Sequence, residues 1–201
     1  MIKLLDILEN KILVPRRSPE ERSKNYMVAI QKKIQQYMKD GGKGDLDLGH
    51  APITSLPKGL KVGGNLDLRY TKITSLPDNL EVGGYLSLKD APITSLPPGL
   101  KVGGYLDLLN TKITSLPDDL EVRGYLNLEL TPITSFPQGL KVGGHLDLYK
   151  SKIASLPQDL KVGGYLNLLN TPFSRSKKYS EEQVRKMIED GGGYIKKGIY
   201  I

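Results

Sequence analysis

The sequence predicts a repeat solenoid, mainly β: a coil of parallel strands with about seven 20-residue turns and an α-helical cap at each end. Three observations predict it. Six full copies of one pattern begin at Gly44, Gly64, Gly84, Gly104, Gly124 and Gly144, at a period of 20 with no residue gained or lost. A Leu-x-Leu pair with strand periodicity stands near the start of each copy. Capping boxes at Ser18 and Ser180 open helical patterns on either side. The chain divides into an N-terminal helical cap (1–43), a solenoid with a partial seventh copy (44–170) and a C-terminal helix and strand cap (171–201).

Each element has its own reason. In the first cap, Ser18-Pro19-Glu20-Glu21 starts a helix, Met27, Ile30, Ile34 and Met38 follow at helical spacing, and Asp40-Gly41-Gly42 stops it. Within a turn the apolar slots are those of Leu106, Leu108, Ile113, Leu116, Leu120 and Val122, with Phe136 replacing Leu once. Constant length means that equivalent residues stack, because an insertion would break register with both neighbours. The later slots surround a Pro and sit too close for an α-helix, so each turn reads as one short strand, an extended return segment and a Gly-Gly corner. The doublets, as in Val102-Gly103-Gly104, serve unusual backbone angles or close approach; none is followed by the Lys-Ser/Thr of a phosphate loop. In the last cap, Ser180-Glu181-Glu182-Gln183 opens a helix carrying Val184, Met187 and Ile188, and Asp190-Gly191-Gly192 ends it. Each helix is expected to replace a return segment, and the tail Tyr194 to Ile201 to pair as a strand with the seventh turn. An open outer edge on that strand would pair with a second copy, giving a homo-oligomer.

A 40-residue period overlies the first. Pro52, Pro92 and Pro132 alternate with Lys72, Lys112 and Lys152, while Lys61, Glu81, Lys101, Glu121 and Lys141 alternate in sign until Lys161 breaks the series. Opposite charges on neighbouring turns help register and solubility and contribute little stability.

Composition narrows the function. The 201 residues hold no Cys, which removes disulfides, thiolate zinc sites and thiol nucleophiles and fits a reducing compartment. No apolar run approaches the roughly 20 residues of a membrane span, so no membrane insertion is expected. Met1 to Lys11 carries Asp6 and Glu9 within its apolar stretch and reads as no export signal, so a cytoplasmic location is expected, with a virion-associated or secreted-effector location as the other readings. The net charge of +7 belongs to the ends, since 44–170 holds twelve basic and thirteen acidic side chains. That disfavours the contiguous basic stripe of a nucleic-acid binder.

The line Leu66-Asp67-Leu68-Arg69-Tyr70-Thr71-Lys72-Ile73-Thr74-Ser75-Leu76-Pro77 resembles the leucine-rich repeat, specifically the 20-residue class of type III secretion effectors and of short-repeat phage and bacterial proteins. The resemblance implies a scaffold whose curved parallel sheet binds another protein. Three departures stand beside it. The family's Asn slot holds Thr71, Thr111, Thr131, Thr171 and Ser151; Ala51 and Ala91 lack any polar group there; and the first Leu slot is Gly, or Arg123 once. A flatter, straight β-solenoid is therefore the alternative geometry.

Strand positions between the leucines are expected to point outward in columns. One reads Asp45, Asn65, Tyr85, Tyr105, Tyr125, His145, Tyr165; the next reads Asp47, Asp67, Ser87, Asp107, Asn127, Asp147, Asn167. Tyrosines beside carboxylates and amides suit a protein first, a peptide or glycan second. The candidate partner-binding residues are therefore Tyr85, Tyr105, Tyr125, Tyr165, Asp107, Asn127, Asp147 and Asn167, with ladder stacking as the purely structural reading of the same columns. No catalytic, metal or cofactor site is expected: His50 and His145 are five turns apart, and Asp47 beside Asp67 arises automatically in any solenoid. The expected function is a non-catalytic, protein-binding module. An assembly subunit using its caps and a nucleic-acid binder using its basic termini are the alternatives.

Overall fold

The structure is a computed structural model that describes residues 18–201. The stretch Met1 to Lys11 discussed above lies outside them. The repeat forms a parallel β-solenoid with two sheets. The first sheet contains β1 (Leu46–Asp47), β3 (Leu66–Asp67), β5 (Leu86–Ser87), β7 (Leu106–Asp107), β9 (Leu126–Asn127), β11 (Leu146–Asp147), β13 (Leu166–Asn167) and β15 (Ile199–Tyr200) in that order. The second contains β2 (Lys61–Val62), β4 (Glu81–Val82), β6 (Lys101–Val102), β8 (Glu121–Val122), β10 (Lys141–Val142), β12 (Lys161–Val162) and β14 (Tyr194–Ile195). Within the repeats, neighbours pair in parallel at an offset of 20 residues, as in Leu66↔Leu86 and Val62↔Val82.

The second sheet is a finding beyond the sequence reading, which assigned one strand per turn. Its strands alternate a buried Val with an exposed Lys or Glu, and two residues are too few to show a period. Of the charge column at these positions, Lys61 and Glu81 close to 3.2 Å.

All six apolar slots face inward. Leu106, Leu108 and Ile113 are fully buried, and Leu116, Leu120 and Val122 nearly so; Phe136, in the same slot as Leu116, is only partly buried. One core runs the length of the coil, and truncating any one of these leucines to Ala costs about 2–5 kcal/mol. The threonines three residues after the second strand leucine bond within their own turn: Thr71, Thr111, Thr131 and Thr171 donate to the carbonyls of Leu68, Leu108, Leu128 and Leu168 at 2.6–2.8 Å.

The glycine doublets serve close approach. A Cβ on Gly83, Gly103 or Gly163 would lie well under 3.0 Å from a backbone oxygen of the preceding turn, and none of the three has a positive φ. Arg123 is the exception at this slot, and its N–H lies 3.1 Å from the Val102 carbonyl, against 2.8–2.9 Å for the equivalent bonds of Gly83, Gly103 and Gly163.

Both ends are covered. Helix α1 (Pro19–Lys39) has the capping box at Ser18 and Glu21 and buries Ile30 and Ile34 on the first turn. A short helix α2 (Pro172–Arg175), capped by Thr171 and burying Phe173, was not legible beforehand. Helix α3 (Glu181–Asp190) has its capping box at Ser180 and Gln183 and buries Val184 and Ile188. The tail forms two strands in place of the single expected one: β14 continues the second sheet and β15 the first. Residues 194–201 thus trace the same path as 161–168, with α3 in place of a return segment. No helix among the described residues is long and apolar enough to cross a membrane.

Candidate protein-binding face

The outer face of the first sheet carries the two columns singled out in the sequence, and it treats them differently. The Asp/Asn column is corrected first. Asp67, Ser87, Asp107 and Asn127 are buried, and Asp147 and Asn167 are half-buried, so this column is not the exposed row expected from strand alternation. Two causes act together: the side chains fold back onto their own turn, and tyrosines from the neighbouring column lie across them.

Each Asp and Asn of this set, though not Ser87, accepts from the backbone two residues on. The Leu109 N–H donates to Asp107 at 3.1 Å, Glu129 N–H to Asn127 at 3.0 Å, Tyr149 N–H to Asp147 at 2.9 Å and Leu169 N–H to Asn167 at 3.1 Å. Between turns, donors and acceptors alternate. Ser87 Oγ and Asn127 Nδ2 donate to Asp107 at 3.2 and 3.1 Å, and Asn167 Nδ2 donates to Asp147 Oδ1 at 3.0 Å. From Asp67 onward the 40-residue period therefore has a chemical reason here, since an amide or hydroxyl separates Asp67, Asp107 and Asp147 from one another; only Asp47 and Asp67, at the first pair of turns, face each other directly. Asp67 has its own counter-ion. Burial alone would raise its carboxyl, yet the Arg69 guanidinium at 2.6 Å and the Arg69 N–H hold it below the ordinary carboxylate range.

The aromatic column is a roll of rings. Tyr105 and Tyr125 stack at 4.7 Å with 7° between planes, His145 meets Tyr125 edge-on at 6.0 Å, Tyr165 stacks on His145 at 5.1 Å, and Tyr200 of β15 extends the roll at 5.6 Å. The imidazole also joins the backbone ladder, its Nδ1 accepting from the Tyr165 N–H at 2.8 Å, a place that Asn65 Oδ1 fills for Tyr85 at 2.9 Å. At the centre the hydroxyls are engaged. Asn127 Nδ2 donates to the Tyr105 oxygen at 3.2 Å, and Tyr125 donates to Asp147 at 3.1 Å. Burial first, then the nearby Asp107 and Asp147 carboxylates, pushes the Tyr105 hydroxyl up to about 12. Burial and Asp147 push Tyr125 higher still. Glu129, beside the same carboxylates, is raised by burial and by Asp147.

Of the candidate residues, then, Tyr105, Tyr125, Asp107 and Asn127 form an internally satisfied ladder, while Tyr85 and Tyr165 remain exposed at 37% and 38%. Beyond the candidates, Tyr26, Val28, Tyr70 and Tyr194 are also exposed, and sequence reasoning missed three exposed apolar side chains toward the C-terminal end: Leu130 at 44%, Leu169 at 40% and Tyr200 at 49%. All three lie in the C-terminal half of the coil, Leu130 in the turn of β9, Leu169 in that of β13 and Tyr200 in β15. The Leu130 N–H bonds the Tyr149 carbonyl in the next turn, Leu169 follows Tyr149 one turn later, and Tyr165 and Tyr200 stack on each other. The available signal was apolar residues in slots that other copies fill with Arg69, Lys89 or Asp90. Two ammonium groups lie over rings of this half, Lys150 at 4.9 Å from the Tyr149 ring centre and Lys197 at 5.1 Å from that of Tyr165.

Among the described residues no group of three or more His, Asp and Glu side chains converges as a metal site. In comparisons with known proteins, no protein-family model matches the chain, and no curated protein matches it.

Proposed function

We propose that the chain is a non-catalytic protein-binding module, similar in use to leucine-rich repeats, that docks its partner on the outer face of the first sheet at its C-terminal half. One observation carries this reading: Tyr165 and Tyr200 stack at 5.6 Å with both rings exposed, and Leu169, four residues after Tyr165, is exposed in the same turn, where an isolated fold has no use for them. Aromatic and aliphatic anchors at the centre with charge at the rim is the anatomy of a recognition patch. The lysine rim favours a partner surface with carboxylates around an apolar centre. A glycan is the weaker reading, because sugar stacking needs open ring faces and the Tyr165 ring lies between those of His145 and Tyr200.

The test is capture of partner protein by the tagged chain, followed by titration of the captured protein against variants. The Tyr165→Ala/Leu169→Ala pair is expected to weaken binding at least about thirtyfold, as two anchors of a recognition patch do, with little change in melting temperature. Tyr105→Phe, within the ladder, is expected to bind as the parent does. Equal affinity of the parent and the Tyr165→Ala/Leu169→Ala variant would remove this face from the function.

A further inference from the structure

A parallel sheet that ends leaves a row of unpaired backbone groups, which attracts another strand. At the C-terminal end of this coil the groups awaiting another turn can be named from the register. Val162 pairs with Ile195 and Leu166 with Ile199. The Lys196 N–H donates to the Val162 carbonyl at 3.0 Å, the Lys197 N–H to that of Gly164 at 3.3 Å, and the Leu166 N–H to that of Gly198 at 3.1 Å. One step further along the coil, the equivalent groups at the centre of this edge are the carbonyls of Ile195 and Lys197 and the N–H of Ile199, flanked by the Gly193 carbonyl and the Ile201 N–H.

The three central groups are occupied by side chains of α3. Arg185 Nη1 donates to the Ile195 carbonyl at 2.5 Å and Nη2 to the Lys197 carbonyl at 2.7 Å. Glu181 Oε1 accepts from the Ile199 N–H at 3.2 Å and pairs with Arg185 Nη2 at 3.2 Å. A guanidinium is suited to this place because its planar fork presents several donors in fixed geometry, as a strand edge does. The N-terminal end has a counterpart: the Lys33 ammonium donates to the Asp47 carbonyl, where the equivalent Asp67 carbonyl accepts from the Leu48 N–H at 2.9 Å.

We infer that Glu181 and Arg185 act as a surrogate turn that closes the centre of the C-terminal edge shared by both sheets, and that without the pair this edge adds a second copy of the chain by strand pairing. The occupant is a second copy because β15 (Ile199–Tyr200) and the Ile201 after it make a short apolar edge, and two such edges meet antiparallel about a two-fold axis with identical groups on each side. The inference is independent of the recognition patch.

The experiment is sedimentation of the full chain at high concentration, with amide exchange read at Ile199. The parent is expected to be monomeric. Glu181→Ala/Arg185→Ala is expected to sediment as a dimer at high concentration and, when diluted to a monomer, to exchange the Ile199 amide about tenfold faster. The exposed neighbour variant Lys186→Ala is expected to match the parent in both. Should the double variant fail to fold, Arg185→Lys carries the same test, since an ammonium cannot reproduce the two-pronged contact. A double variant that stays monomeric, an unchanged Ile199 amide, or a parent already dimerised through β15 would each overturn the inference.

Discussion

A single buried hydroxyl shows how narrowly this core is tuned. Ser151 occupies the slot where Thr71, Thr111, Thr131 and Thr171 donate to a carbonyl of their own turn, but its Oγ is buried without a partner. Ala51 and Ala91 fill the same slot and are as well buried. Ser151→Ala is expected to stabilise the protein by about 1 kcal/mol, the penalty of an unsatisfied hydroxyl, and chemical denaturation measures it. The tyrosine hydroxyls act through pH. The Tyr105 hydroxyl rises from its ordinary 10.0 to about 12 on folding, so the neutral phenol is the form the fold favours. Its contribution is complete below about pH 10 and disappears as pH rises through about 12. Melting temperature against pH is expected to fall across that window, and Tyr105→Phe/Tyr125→Phe to flatten the fall. Most of these residues were legible as columns in the sequence. Their burial was not, because alternation gives the side of the sheet a residue leaves from and not whether a tyrosine of the adjacent column reaches across it.

At the level of the element, the corner decides how closely two turns approach. Gly103 has no room for a methyl group beside the Gly83 oxygen, so Gly103→Ala is expected to cost about 1–3 kcal/mol through forced separation of turns. Arg123 holds the same slot, and its own ladder bond to Val102 is lengthened to 3.1 Å. Arg123→Gly is therefore expected to raise the melting temperature, with slower amide exchange at that position. The sequence announced the helices through their start and stop signals and the first sheet through its leucines. It concealed the second sheet, whose strands are a dipeptide, and it showed the tail as one strand on the seventh turn and not as two, because Lys196-Lys197 replaces the Gly-Gly that marks the corner elsewhere.

For the whole molecule, the alternation of donors and acceptors makes two turns the natural unit. Removing residues 104–143 brings Asp147 beside Ser87, a donor, as Asp107 is now. Removing residues 124–143 instead brings Asp147 beside Asp107 and takes away the amide between them. Two facing carboxylates raise one another's pKa, so the shorter deletion is expected to lose stability as pH rises above about 4, relative to the longer one. Thermal melts of the two deletions from pH 4 to 8 measure it; parallel curves would mean that the ladder has no say in repeat number. Length of the coil was the most legible property of all, since a period without insertions fixes how many turns must stack.

The glycine seam has one more consequence. Where the backbone of one coil rests directly on the next, there are no side chains to exchange, and mutation can alter the molecule there only by prying it apart. New specificity must instead be written on the opposite border of the first sheet, at slots such as 109, 130, 149 and 169, where Leu, Tyr, Lys, Arg, Glu and Asp already trade places from copy to copy.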